Sequence, residues 1–341
     1  MQQNTGGFAL LLIAGAMNGS FTLPMKFTCK WAWENTWLVW TIFALAIFPL
    51  GLTLITVPSL RAIYAQSGMA PVLLAAGCGA AWGVSQIFLG LAVEGIGMAL
   101  AFSMILGISA ALGSLVPLLR LHPQAVLQKG GLTLLFGVAL TLTGVGIAAI
   151  AGRLREGALQ AGDLPAVAKL SATKGLLFAT ISGVGSAVVN IGFAFAEPLP
   201  RAAQAFGVRQ IWWSNTIWLP LMLAGGIPNL LYCIYLMRKN RTAGRLRLPG
   251  TASYWLLAFV MALFWFGSTV MYGAGATALG TLGPVLGWPV FMSLIVITAT
   301  LWGIIMGEWK QAGKRPLQIM TSGVAVLVAA IFVLGISSRM F

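Results

Sequence analysis

The sequence predicts an all-α integral membrane protein of ten transmembrane helices, arranged as two inverted repeats of five. Three observations predict it. None of the 26 charged residues falls in the middle of an apolar run. Uncharged stretches recur from Gly7–Met25 to Leu317–Ser337, and roughly 20 apolar residues are what a helix needs to cross the hydrocarbon layer. Finally, the second half of the chain echoes the first.

Composition excludes a soluble domain. Of 341 residues, 59% are hydrophobic and 8% charged, against about 25% charge in soluble domains. The net charge of +14 does not point to nucleic acid, because the basic residues cluster in short links rather than on one continuous face. Cys29, Cys78 and Cys233 are scattered and odd in number, so they give neither a disulfide framework nor a metal spacing. The single histidine, His122, sits near Arg120 in a short link. No metal and no cofactor are expected.

In order, the spans are expected at residues 7–25, 36–58, 70–92, 97–119, 131–151, 175–195, 211–236, 254–274, 282–306 and 317–337. They are expected to form one transmembrane domain, with residues 7–151 as the first five-helix unit and 175–337 as the second. The first basic residue, Lys26, follows the first apolar stretch. A cleaved signal peptide has the reverse order, so this stretch is read as a retained helix with its N-terminus outside. Two links are very short, Glu94–Gly97 and Gly275–Thr281, and their glycines favour turns over one overlong helix.

Alternating the faces puts 14 Lys and Arg residues on one side and 6 on the other. The richer side reads as cytoplasmic, which places both termini outside.

The repeat is carried by spaced matches. Gly7 and Gly15 match Gly175 and Gly183, both 168 residues on. Trp82, Ser85, Gly90 and Gly97 match Trp265, Ser268, Gly273 and Gly280 at 183, and Gly137-Val138-Ala139 matches Gly323-Val324-Ala325 at 186. Small residues alone are explained by close helix packing, but the repeated Trp and Ser positions are not. Five spans per half is an odd number, so the halves have opposite topology. That is a carrier arrangement, with substrate near the midplane.

The stretch Lys-Phe-Thr-Cys-Lys-Trp-Ala-Trp-Glu-Asn-Thr-Trp at residues 26–37 resembles the link after the first helix of the L-rhamnose–proton symporter family, a branch of the drug/metabolite transporter superfamily. Trp82-Gly83 followed by Gly90-Leu91 and Gly97-Met98 is similar to its third helix and the start of its fourth. The run from Gly307 to Pro316 resembles its last link, and Pro198, Trp288 and Ser293 fall in matching contexts. The likeness spans nearly the whole chain. It implies a proton-driven carrier for a small neutral solute, a deoxysugar such as L-rhamnose, in a bacterial cytoplasmic membrane; the superfamily allows a homodimer. The chain departs from the family pattern around Trp288, where Gly283–Phe291 lacks the acid and the histidine, and at Phe88 and Leu89.

A sugar needs hydroxyl or amide partners and an aromatic plate. The candidates are Asn18, Ser85, Gln86, Asn190, Asn215, Ser268 and Tyr272, with Trp82, Trp265 and Trp288 as plates. Trp82, Ser85 and Gln86 share a helical face by spacing, as do Trp265, Ser268 and Tyr272. Trp31, Trp33, Trp37 and Trp309 are read as interfacial anchors.

No acid lies mid-span. Glu156 and Asp163 fall in a polar link and read as solvated, Glu308 as an interfacial pair beside Lys310, and Glu34 as a helix-end pair with Lys30. Glu94 and Glu197 cap spans without a basic neighbour, and Glu94 is the proton-coupling candidate.

A second reading is an exporter or facilitator for a less polar metabolite, without proton coupling. An enzyme is disfavoured by the lack of paired buried carboxylates, a His/Cys metal cluster or a Ser/His/Asp set, and no ATP-binding loop marks a primary pump.

Overall fold

The protein is described here from a computed structural model covering residues 2–160, 170–310 and 312–341. The expectation for Asp163 lies outside the described residues. Ten helices long and apolar enough to cross a membrane are present among them. We number these α1 (Gln2–Ser20), α2 (Trp33–Thr56), α3 (Met69–Ile96), α4 (Met98–Leu121), α5 (Lys129–Gln160), α6 (Ala172–Phe195), α7 (Asn215–Lys239), α8 (Ala252–Ala278), α9 (Gly283–Ile305) and α10 (Lys314–Ser337). Two short surface helices, Leu60–Ser67 and Pro198–Ala205, pack on each other.

The ten expected spans are all recovered, with ends that differ by a few residues. α5 runs on through Arg153, Arg155 and Glu156, because leaving the hydrocarbon ends the apolar pattern without ending the helix. Both very short links are turns. Gly97 at φ +81° separates α3 from α4, and Gly280 at φ +79° lies between α8 and α9. These left-handed conformations are ones a side chain resists.

Consecutive links alternate between two faces. On the first, Lys26 pairs with Glu308, the Lys30 ammonium donates to the Pro249 carbonyl at 3.2 Å, and the Ala99 amide donates to Glu156 at 2.9 Å. On the second, Ser67 donates to the Pro198 carbonyl at 3.3 Å, and the His122 ring lies 3.1 Å from the Thr281 carbonyl.

Prolines shape the interior. A proline has no N–H for the carbonyl four residues back, and an unpaired carbonyl in lipid costs several kcal/mol. Three such carbonyls are met by side chains from elsewhere. Pro117 frees Gly113, whose oxygen accepts from Asn190 Nδ2 at 2.8 Å. Pro220 frees Thr216, which accepts from the Tyr64 hydroxyl at 2.9 Å, and Pro289 frees Val285, which accepts from Ser114 at 2.6 Å. Burial pushes the Tyr64 hydroxyl well above the ordinary tyrosine range, so it stays a donor. In α2 the residues before Pro49 form a π-helical turn, Phe43–Ile47. Such bulges favour functional sites.

Close helix contacts are made through glycine. α1 packs on α8 and α9, and α6 packs on α3 and α4. Gly7 abuts Gly275 and Leu279, while Gly175 abuts Gly95 and Ile96; Gly15 meets Leu294 of α9, while Gly183 meets Ile108 of α4. α3 and α7 meet backbone to backbone, since a Cβ on Gly79 would lie 1.9 Å from the Leu221 carbonyl oxygen.

Candidate substrate site

The predicted residues separate into two groups. The first lies between α1, α2, α3 and α8. Trp82 of α3 and Trp265 of α8 stack with ring centroids 5.5 Å apart and planes 18° from parallel. Beside them Asn18 Nδ2 donates to Ser268 Oγ at 2.8 Å, and Ser268 donates to the Trp265 carbonyl at 2.6 Å. The side-chain Oδ1 of Asn18 takes no hydrogen bond among the described residues. Gln86 is half-buried and holds only a long contact, 3.4 Å from its Nε2 to Ser85 Oγ.

Ser85 itself turns away. It donates to the Trp82 carbonyl at 2.7 Å and fills the space left by Gly185 of α6, where a Cβ would lie 2.1 Å from its own. Its i, i+3 relation to Trp82 is real, but the residue faces a different neighbour.

The second group joins α4, α6, α8 and α9. The Tyr272 hydroxyl donates to Asn190 Oδ1, and Asn190 Nδ2 donates to the carbonyls of Gly113 and Pro284 at 2.8 and 2.9 Å. Trp288 Nε1 donates to the Ser109 carbonyl at 2.9 Å, in space that Gly113 leaves for the indole. Tyr272 and Asn190 are fully buried. Asn190, Tyr272 and Trp288 thus spend their side-chain polar atoms on neighbouring helices. Asn215 is also apart: it donates to Thr56 at 3.0 Å near the second face.

Sequence reasoning missed Trp40, which is 1% exposed. It lies 5.1 Å from Trp265, edge to face, and 4.4 Å from Trp37; Trp33 then stacks on Trp37 at 5.1 Å. The i, i+4, i+7 spacing of Trp33, Trp37 and Trp40 was the available signal. Five tryptophans thus form a continuous column from the first face to the Trp82–Trp265 pair. Trp37 is therefore not a lipid anchor: its Nε1 donates to Asn229 of α7 at 3.3 Å. Trp31 and Trp309 are buried too, the latter beneath the Arg155 guanidinium at 5.2 Å.

The acids are redistributed relative to expectation. Glu94 is exposed and holds no hydrogen bond or ion pair among the described residues. Glu197 pairs with Arg201 one turn on, at 2.9 Å. Glu156 is not simply solvated, since it accepts from the Ala99 amide in the first turn of α4. Glu308 pairs with Lys26 and with Arg155, the latter at 3.0 Å, and not with Lys310. Glu34 is 5% exposed and does not pair with Lys30. Its Oε1 accepts from Thr242 Oγ1 at 2.7 Å and Asn240 Nδ2 at 3.0 Å.

Comparison with known proteins now adds to this geometry. The family model for the L-rhamnose-proton symport protein matches residues 3–339. The chain belongs to that family. It is 29% identical to an L-rhamnose-proton symporter of Salmonella paratyphi A and 28% identical to those of Salmonella dublin and Salmonella paratyphi B, in each case covering 97% of both chains. This member of the L-rhamnose-proton symport family is thus a multi-pass membrane transporter and not an enzyme. Lys26 and Glu308, one from each of the two link stretches that carry the resemblance, pair on the first face.

Proposed function

We propose that this protein moves a small neutral sugar of the L-rhamnose class across the cytoplasmic membrane together with protons. The observation that carries the reading is the Trp82–Trp265 stack beside Asn18, Ser268 and Gln86, a set of aromatic faces and uncharged amide and hydroxyl groups contributed by both halves of the chain. Aromatic faces suit the apolar faces of a deoxysugar, and amides suit its hydroxyls. The relatives' names give the sugar and the ion.

Alternating access between two inverted five-helix halves is the mechanism we infer. Its support is that glycines matched between the halves, Gly7 with Gly175 and Gly15 with Gly183, touch correspondingly matched helices. Trp82 and Trp265, also a matched pair, touch each other. Among the described residues the first face carries 13 of the 19 Lys and Arg residues, which supports a cytoplasmic assignment for it and external termini.

The test is uptake of radiolabelled L-rhamnose into proteoliposomes with and without an inward proton gradient. Accumulation that needs the gradient is expected. Equilibration without accumulation would favour the second reading, a facilitator or exporter for a less polar solute, for which the largely satisfied polar groups of the site speak.

A further inference from the structure

Among the described residues Glu34 is the one buried carboxylate, and it joins distant parts of the chain. It lies in the first turn of α2, while its donors Asn240 and Thr242 follow α7, 206 and 208 residues away. Its neighbour Asn35 strengthens the join, donating to the Thr242 carbonyl at 3.0 Å and accepting from the Ala32 amide at 3.0 Å. The charged and titratable groups around Glu34 are Arg245 from the turn after Thr242, and Tyr232 and Cys233 of α7. Lys30, on the same link, is committed to the Pro249 carbonyl. No cation forms an ion pair with Glu34 among the described residues.

A helix-end acid ordinarily serves the helix dipole, and that role needs neither burial nor partners from another segment. Glu34 has both. The remaining described acids are exposed, ion-paired or bonded to a helix end.

We propose that Glu34 is the residue whose protonation couples proton movement to opening of the first face. This rests on the proton-coupled reading above. As a carboxylate it accepts two charge-assisted hydrogen bonds, which are roughly twice as strong as neutral ones. Taking a proton onto the carboxylate cancels that advantage and loosens α2 from the α7–α8 link. Only an O–H bond forms on uptake, and the same bond breaks on release. Coupling is reciprocal: proton binding favours the open face, and closing the face favours proton release. Asn35 does not titrate, so it holds the register of the join while Glu34 sets its strength.

The experiment uses the whole protein in proteoliposomes, with radiolabelled L-rhamnose and an internal pH dye. Glu34→Gln is expected to keep rhamnose counterflow within about two-fold of wild type, without pH dependence, while gradient-driven accumulation falls by about ten-fold or more. Thr242→Val keeps the carboxylate but removes its shorter donor. It is expected to move the pH midpoint of counterflow up by about one unit, which a purely structural role would not do. Should Glu34→Gln fail to fold or lose counterflow as well, the Thr242→Val midpoint decides. Wild-type-like accumulation by Glu34→Gln, or an unmoved midpoint in Thr242→Val, overturns the proposal. If wild type itself carries rhamnose without dye-reported proton uptake, the proton-coupled reading fails first, and this proposal with it.

Discussion

Trp82 and Trp265, 183 positions apart, lie nearly parallel with their ring centroids 5.5 Å apart. One comes from each half of the chain, and Trp40 closes on the edge of the pair. A ligand seated there meets aromatic surface supplied by both halves at once.

Removing one plate should therefore weaken sugar binding more than it weakens the fold. Trp265→Ala is expected to raise the half-saturation concentration for L-rhamnose by about five- to ten-fold, the size of about 1 to 1.4 kcal/mol. Trp265→Phe should recover most of that. Initial-rate uptake over a concentration series checks it, and equal affinities for all three proteins would remove this pair from the site.

Asn190 should behave in the opposite way. Asn190→Ala orphans the Gly113 carbonyl and takes away the acceptor of the Tyr272 hydroxyl. A buried group left unpaired costs about 1–3 kcal/mol. The expected result is a clear drop in melting temperature in detergent, with unchanged sugar affinity in the protein that survives. Wild-type stability combined with lost affinity would make Asn190 a ligand residue after all.

The α3–α7 crossing tolerates no added carbon. Gly79→Ala puts a methyl 1.9 Å from a backbone oxygen, so the two helices must separate, and overpacking of this kind costs about 1–3 kcal/mol. By contrast Gly77→Ala, on the same helix with open space around it, should melt like wild type. Parallel thermal unfolding of the two variants makes the comparison.

Orientation is open to direct labelling. In a variant with Cys29, Cys78 and Cys233 replaced, a cysteine at exposed Gly244 should react with an impermeant maleimide only after the cytoplasmic side is opened. One at exposed Gly207 should react in intact cells. The reverse pattern would invert the topology and put the Glu34 join on the external face.

The fold was legible because lipid is an unforgiving solvent: charge position alone marks where each helix leaves it, and the glycines at 97 and 280 announce their turns. The site was legible only in part. Trp82, Trp265, Asn18 and Ser268 do meet, since helical spacing and the internal echo constrain them. Asn190 and Ser85 could not be sorted the same way. Asn190 answers a carbonyl freed by a proline on another helix, and Ser85 a missing Cβ on α6. For Glu34 local spacing offers only the near neighbour Lys30, because a partner 208 residues away leaves no trace in it.

The three proline-freed carbonyls have a mechanical consequence. Beyond Pro117 and Pro289 the segments of α4 and α9 lack one rung to their own preceding turn, and they are lashed to neighbours instead: α4 to α6 through Asn190, and α9 to α4 through Ser114. A tilt of α6 therefore pulls on α4, and α4 pulls on α9, as a linkage of rods hinged at fixed pins. The side chains that satisfy these carbonyls are tie-bars between helices from the first and the second half of the sequence.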